Sequence, residues 1–307
     1  MTDSPAGFVV TVDPGDRIHF LDWGRPSTGD TPSGDTGVLL VHGLSQTAWI
    51  WAPVARRLAG SVPTVAMDLR GHGLSDAPTE DGAYALPILA DDAIAAAEGS
   101  GALADDQRVV LAGHGFGAIV AAVAAAHLGP RCAGLVLVDG GWESMEASTG
   151  VDADEFLRGL DEPPEVMRSL RAFLADRRAF DPATWDDDQD RAARATVVET
   201  HAGRVVPATR PHALEACVRA MFTYDPRPIL AAVEAPIVGL VAEDDEAGTR
   251  TQALAELDTE RSAAGRTAVG GRPAILARTL GSVGHNLMRY RPTDVTDAIL
   301  SITRSTS

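Results

Sequence analysis

Four short, continuously apolar segments constrain the fold of this chain more than any other feature. They are GVLLVHG (residues 37–43), VPTVAMD (62–68), RVVLAG (108–113) and GLVLVDG (134–140). Apolar runs of this length are typical of parallel strands covered on both faces. Helical patterns separate them, at residues 52–59, 86–97 and 116–128. The alternation predicts an α/β protein with a mostly parallel central sheet flanked by helices.

The pattern changes after the fourth apolar segment. Charged amphipathic stretches interrupted by prolines extend to about residue 227, and strand patterns resume at APIVGLVA (residues 235–242) and AILARTL (274–280). We therefore predict an α/β core formed by residues 1–139 and 228–307, with residues 140–227 inserted as a helical cap.

Composition limits the classes of partner. The 307 residues carry a formal net charge of -17, and 45% of them are hydrophobic. An acidic surface repels nucleic acid and anionic lipid, so neither is an expected partner, and a small-molecule substrate is. Two cysteines, Cys132 and Cys217, are too few for a disulfide framework or a thiolate zinc site. We expect no metal, no cofactor, no signal peptide and a cytoplasmic location; the sequence leaves the oligomeric state open.

The segment LAGHGFGA (residues 111–118) has two incompatible interpretations. As Gly113-x-Gly115-x-x-Ala118 it fits a dinucleotide-binding loop, with Asp139 at the distance expected of a ribose-binding acid. As Gly113-His114-Gly115-Phe116-Gly117 it fits a nucleophile elbow, G-x-S-x-G, in which glycine replaces serine. The first interpretation explains one segment and leaves the other motifs of the chain unexplained.

Those other motifs are VHGLSQTAWIW (residues 41–51), MDLRGHGLSD (67–76), AEDD (242–245) and GSVGHN (281–286). Together with the elbow, their order and spacing resemble the α/β-hydrolase superfamily, in its capped, serine-esterase or lactonase-like form. The resemblance implies that Gly115, Asp245 and His285 occupy the positions of nucleophile, acid and base. It also implies that the N–H groups of Leu44 and Phe116 form an oxyanion hole. Some members carry the acid at the position of Asp139, which we interpret here as a strand-end residue.

Four aromatic residues are candidates for a substrate pocket: Trp49, Trp51, Phe222 and Tyr224. Core packing explains them at least as well. The resemblance and the cap favour a small, largely apolar ester, lactone or other activated carbonyl compound as substrate. Few basic residues lie near the motifs, so a strongly anionic substrate is not favoured.

Glycine at position 115 cannot form an acyl-enzyme, which leaves three hypotheses. The chain is an inactivated variant of a serine hydrolase, or His285 and the acid activate water or take a proton directly from substrate, or the protein is a non-catalytic ligand-binding relative. Because the other site residues remain, enzyme chemistry ranks first.

Overall fold

A computed structural model describes residues 4–24, 36–104, 107–161, 165–242, 248–263, 275–281 and 283–303. Its strands are β1 Ala6–Val12, β2 Asp16–Asp22, β3 Gly37–Val41, β4 Thr64–Met67, β5 Val109–His114, β6 Cys132–Val138, β7 Val197–Glu199, β8 Val205–Pro207, β9 Ile237–Ala242 and β10 Ile275–Leu280. Eight strands form one sheet in the order β1-β2-β4-β3-β5-β6-β9-β10, and β7 and β8 form a separate antiparallel pair.

The central sheet is mostly parallel, as the sequence predicts. β3 pairs in parallel with β4 and β5, β6 lies between β5 and β9, and β10 extends the parallel part beyond β9. β1 and β2 form an antiparallel hairpin at the opposite edge. The predicted fold class is therefore confirmed.

The helices are α1 Ala52–Leu58, α2 Leu86–Gly99, α3 Phe116–Leu128, α4 Met145–Thr149, α5 Ala153–Arg158, α6 Leu170–Phe180, α7 Asp187–Ala195, α8 Pro211–Phe222, α9 Pro226–Ala232, α10 Thr249–Ala263, α11 Leu287–Tyr290 and α12 Pro292–Thr303. Short 3₁₀ helices occur at Ala48–Trp51, Gly129–Arg131 and Pro182–Thr184. None of the helices in the described ranges combines the length and the apolar character that crossing a bilayer requires.

Two layers of helices cover the sheet and explain its continuous apolar strands. Along β3, Leu39 and Val41 pack into the layer that contains α2, α3 and α9, whereas Val38 and Leu40 pack against α1 and α12. Successive side chains of a strand point to opposite faces, so a strand covered on both faces has no polar position. The carboxyl ends of the parallel strands remain available for the connecting loops that carry the site.

The segment between β6 and β9 contributes no strand to the central sheet within its described residues. It contains α4 to α9 and the β7–β8 pair. Residues 154–180 are helical over much of their length, in α5 and α6. The division into a core and a cap with boundaries at 139/140 and 227/228 remains a prediction.

A buried histidine in the loop after β4 provides a test of this core. His72 has no exposed surface, and its Nδ1 lies 3.1 Å from the carbonyl oxygen of Arg70. Burial, reinforced by the neighbouring His42, lowers the pKa of His72 from 6.5 to about 3. The folded state therefore keeps this ring neutral at pH values where the unfolded chain protonates it.

We expect this histidine to destabilise the fold progressively below about pH 6.5. Between the unfolded and folded pKa values the unfolded state binds the extra proton, so the free energy of unfolding falls by about 1.4 kcal/mol per pH unit on acidification. Urea denaturation at about pH 6.5 and about pH 5 measures this fall in the free energy of unfolding. His72→Asn keeps a donor for the Arg70 carbonyl, and its free energy of unfolding should fall by roughly 2 kcal/mol less over that interval. Equal losses in both proteins would contradict this.

Candidate active site

A tight turn joins β5 to α3 at the centre of the sheet. Gly115 forms this turn with φ 52° and ψ −115°, a backbone conformation that residues with a Cβ adopt only under strain. The flanking glycines are required by close packing. A Cβ on Gly113 would lie 2.1 Å from the carbonyl oxygen of Gly117, and a Cβ on Gly117 would lie 2.3 Å from that of His42. The structure therefore has the geometry of a nucleophile elbow.

Gly113→Ala should cost about 3 kcal/mol or more of unfolding free energy, because the contacting atom belongs to rigid helix backbone. Gly150→Ala is the matched control. Gly150 has φ 71° and nothing within 4 Å of its Cβ position, so only backbone strain of about 1 kcal/mol opposes the methyl group. Urea denaturation of both variants measures the difference in their free energies of unfolding. If both variants lose a similarly small amount of stability, the elbow tolerates a wider turn.

The ring of His285 lies directly over the elbow. The Cβ position of residue 115 is 3.2 Å from His285 Nε2. The second-nearest residue is Gly43, whose Cα lies 4.0 Å from the same Cβ position. On the other side of the ring, His285 Nδ1 lies 2.6 Å from Asp139 Oδ2. Gly115, His285 and Asp139 thus form a continuous line. The turn faces the imidazole of His285 and, behind it, the carboxylate of Asp139, which is not an arrangement for holding a phosphate, so the dinucleotide interpretation has no support here.

Among the described residues, the carboxylate bonded to His285 is that of Asp139, so the interpretation of Asp139 as a mere strand-end residue is corrected. Asp245, the acid expected from the sequence, lies outside the described residues. Asp139 follows β6 with φ 50°, a strained conformation for a non-glycine residue, and such strain persists where the surroundings require a particular geometry. Ser45, the other such residue in the described ranges, lies at the same site. The sequence signal for this turn is the run Asp139-Gly140-Gly141.

Two groups besides the histidine are seen to hold the Asp139 carboxylate. Asp139 Oδ1 accepts hydrogen bonds from the N–H of Ala242, at 2.9 Å, and from Arg250 Nη1, at 2.7 Å. Burial by itself would raise the pKa of Asp139, but the bond to His285 and the charge of Arg250 lower it to about 2. The carboxylate is therefore ionised at neutral pH, with Oδ2 left to orient the imidazole.

Arg250 also contacts a second acid. Its Nε lies 3.1 Å from Glu143 Oε2, and its guanidinium lies over the ring of Trp142 at 5.0 Å. Glu143 and Trp142 follow β6, as Asp139 does, whereas Arg250 comes from the start of α10. Sequence analysis did not identify Arg250 or Glu143, because nothing in the local pattern places α10 beside the end of β6.

His114, inside the elbow, supports the position of His285. Burial lowers the pKa of His114 well below its ordinary value, so the ring is neutral and carries one N–H. Its Nε2 lies 3.1 Å from the main-chain oxygen of His285, and the two rings are 4.3 Å apart. Gln46 connects the loop after β3 to the same region by donating to Asn286 Oδ1 at 2.7 Å.

A cavity of about 590 Å³ lies over these residues and is called the catalytic cavity below. Leu44 and Phe116, the expected oxyanion-hole residues, both line it. Phe116 is the first residue of α3, and the first N–H groups of a helix have no partner within the helix. Residues between β6 and β9 form the opposite wall: Met145, Ser148, Thr149, Phe156, Leu160 and Met221.

The four aromatic candidates do not line the catalytic cavity. Trp51 is completely buried among core residues, and Trp49 packs edge-on against Trp23. Phe222 lies behind the cavity wall in contact with Phe156. Tyr224 is buried and donates to the carbonyl oxygen of Gly141 at 2.8 Å. Their apolar surface is used for packing, which sequence patterns do not distinguish from a pocket lining.

Comparison with known proteins finds similar sequences among a lipase and an esterase. Lipase LipV of Mycobacterium tuberculosis is 38% identical over 111 residues, which are 35% of this chain and 38% of the lipase. Esterase PIR7B of Oryza sativa subsp. japonica is 34% identical over 126 residues, 39% of this chain and 44% of the esterase. This chain thus spans less than half the length of either relative.

Matches that cover more of the chain have a lower sequence identity. A 2-(acetamidomethylene)succinate hydrolase of Mesorhizobium japonicum is 28% identical over 179 residues, 54% of this chain and 59% of that enzyme. The crystal structure of an E-2-(acetamidomethylene)succinate hydrolase superposes with a TM-score of 0.74 and 22% identity, covering 97% of this chain and 100% of that one. The sequence profile described as "Alpha/beta hydrolase family" matches residues 38–298. With a match over most of its length, this chain belongs to the alpha/beta hydrolase family.

Proposed function

We propose that this protein hydrolyses an ester, a lactone or another activated carbonyl of a small, largely apolar molecule. One observation carries the proposal. The Cβ position of residue 115 lies 3.2 Å from His285 Nε2, while Nδ1 of the same ring is bonded to an ionised, buried Asp139. A base oriented by a carboxylate therefore faces the place where a family nucleophile acts.

In this chain water is the nucleophile. A water molecule over Gly115 can donate to His285 Nε2 in the space that a longer side chain would fill. As the water oxygen bonds to the substrate carbonyl carbon, His285 takes its proton and Asp139 stabilises the imidazolium. The carbonyl oxygen becomes an oxyanion held by the N–H groups of Leu44 and Phe116. When the tetrahedral intermediate collapses, His285 returns the proton to the leaving oxygen.

The surroundings of the cavity support a small substrate. The wall formed by α4, α5 and α8 covers the catalytic cavity, which is the arrangement expected if residues 140–227 form a cap. A cavity of this size accommodates a small organic molecule. The names of the similar proteins, which include a lipase, an esterase and a hydrolase of an acetamidomethylene succinate, also favour cleavage of a carbonyl derivative.

A panel of aryl esters and lactones tests the proposal. His285→Ala should abolish the turnover of the natural chain, because no other described side chain replaces the base at Gly115. His127→Ala is the control, since His127 lies on the surface beside Asp91. Turnover that survives His285→Ala would exclude the mechanism. Ligand binding without turnover in any variant would instead identify a non-catalytic relative.

A further inference from the structure

A second cavity of about 440 Å³ opens beside the catalytic cavity; it is called the side cavity below. Four residues line both cavities: Ser45, Gln46, Leu160 and Asn286. The two cavities therefore adjoin at these residues. The side cavity lies between the loop after β3, the helices α6, α7 and α11, and the β7–β8 pair. Much of its wall is apolar, including Ile50, Phe173 and Trp185.

The charges that line the side cavity have one sign. Its described lining includes Arg177 and Arg289 and contains no aspartate or glutamate. This is unusual in a chain with a net charge of -17. In the catalytic cavity, by comparison, Arg250 is bonded to both Asp139 and Glu143. In the side cavity, Arg177 Nη1 lies 3.4 Å from Asp176 Oδ2, so the contrast with Arg250 rests on Arg289.

Arg289 is fixed in place by neutral groups. Its Nε donates to Thr184 Oγ1 at 2.7 Å, and its Nη2 donates to the carbonyl oxygen of Asp181 at 2.7 Å. Its guanidinium carbon lies 5.9 Å from the ring centre of Trp185 and 5.3 Å from that of Tyr290. Among the described residues, no carboxylate oxygen lies within 4.0 Å of its nitrogens. A guanidinium has five N–H groups, so two neutral acceptors leave it with donors for an anion.

The nearest acid does not remove this capacity. Asp181 is half-buried, and its carboxylate accepts from the hydroxyl of Thr184 and the N–H of Ala183. The hydrogen bond from Thr184, followed by the charge of Arg289, lowers the pKa of Asp181. The charge of Asp181 therefore reduces the positive potential around Arg289, but its carboxylate oxygens are hydrogen-bonded to Thr184 and Ala183 rather than to Arg289. Arg177 adds a second cation to the wall, with its guanidinium carbon 4.8 Å from the ring centre of Phe173.

We propose that the side cavity binds the carboxylate-bearing end of an elongated substrate, with Arg289 as the anchor of the carboxylate. This inference rests on the proposed function for the other end of the same molecule, whose ester or lactone carbonyl lies at Gly115 and His285. The substrate class is thus a monoanion in which an apolar chain or ring separates a carboxylate from the hydrolysed carbonyl. The apolar wall takes this central part, and a carboxylate suits the planar fork of a guanidinium.

Binding can be measured without turnover by using methyl-ketone acids, in which a methylene group replaces the ester oxygen. We would titrate linear acids of increasing length, and their neutral primary amides, into the natural protein by calorimetry. One length should bind best, and its amide should bind about tenfold or more weakly, because a charge-assisted bond to Arg289 is lost. Arg289→Gln should weaken binding of the acid to that level and leave the amide unaffected. Arg289→Lys should retain part of the preference.

Arg171→Gln is the matched control, because Arg171 is an exposed arginine of α6 that does not line the side cavity. Equal weakening of acid and amide by Arg289→Gln would mean that Arg289 only supports the fold of the wall, and it would overturn the proposal. So would equal affinity of acid and amide in the natural protein. If the protein binds the acid selectively but hydrolyses no ester, the side cavity remains a carboxylate-binding site. In that case the proposed function is refuted instead.

Discussion

Gly115→Ser is expected to raise the rate of ester hydrolysis by on the order of a thousandfold if glycine replaces the serine of a serine hydrolase. If water is the native nucleophile, the same substitution should leave the rate unchanged or lower it by filling the space. The substitution places a hydroxyl beside His285 Nε2, which lies 3.2 Å from the Cβ position, and opens a covalent route that glycine cannot use. The variant should also become sensitive to a serine-directed phosphonate. Mass spectrometry of the labelled protein and the burst of the first turnover would measure both effects.

The same substitution should destabilise the protein. At φ 52° and ψ −115° any Cβ is strained, at a cost of about 1–3 kcal/mol. Gly115→Ala is the matched control, because it imposes the same strain, fills the space of the proposed water and adds no hydroxyl. We expect it to hydrolyse esters more slowly than the natural chain. If Gly115→Ser is unlabelled and as slow as Gly115→Ala, the elbow is not competent for acyl transfer.

Asp139→Asn should reduce hydrolysis by about a hundredfold or more, because an amide no longer stabilises the imidazolium and favours the wrong tautomer of His285. The loss should fall on kcat rather than KM, since Asp139 is buried and acts through the ring of His285. Thermal unfolding and circular dichroism would verify that the variant folds, which matters because Arg250 also loses one of its two charged partners.

The companion substitution Asp245→Asn decides between the two candidate acids. If Asp139 orients His285, Asp245→Asn should retain most of the activity that Asp139→Asn loses. The opposite ranking of the two variants would assign the role to Asp245 and leave the contact of Asp139 with His285 as a structural bond. Steady-state kinetics on one substrate, with both variants at the same pH, are sufficient.

The elements of the sheet and the base of the site could be predicted because their signals are local. Continuous apolar runs identify β3 to β6, since strands covered on both faces carry no polar position. The glycines around residue 115 identify a turn too tight for side chains, and the motif Gly284-His285-Asn286 follows the last strand. In each case the physical requirement acts on residues that are close together in the chain.

Tertiary structure decided which distant residues meet. Asp139 faces His285 because the end of β6 lies beside the loop after β10 and because its strained turn directs the carboxylate under the ring. Arg177 from α6 and Arg289 from α11 share one cavity only through the packing of the segment between β6 and β9. Trp51 and Tyr224, which resemble pocket residues in sequence, are used in packing. Hydrophobic periodicity reports whether a residue is buried, whereas the partner of a buried or charged group depends on how the elements are assembled.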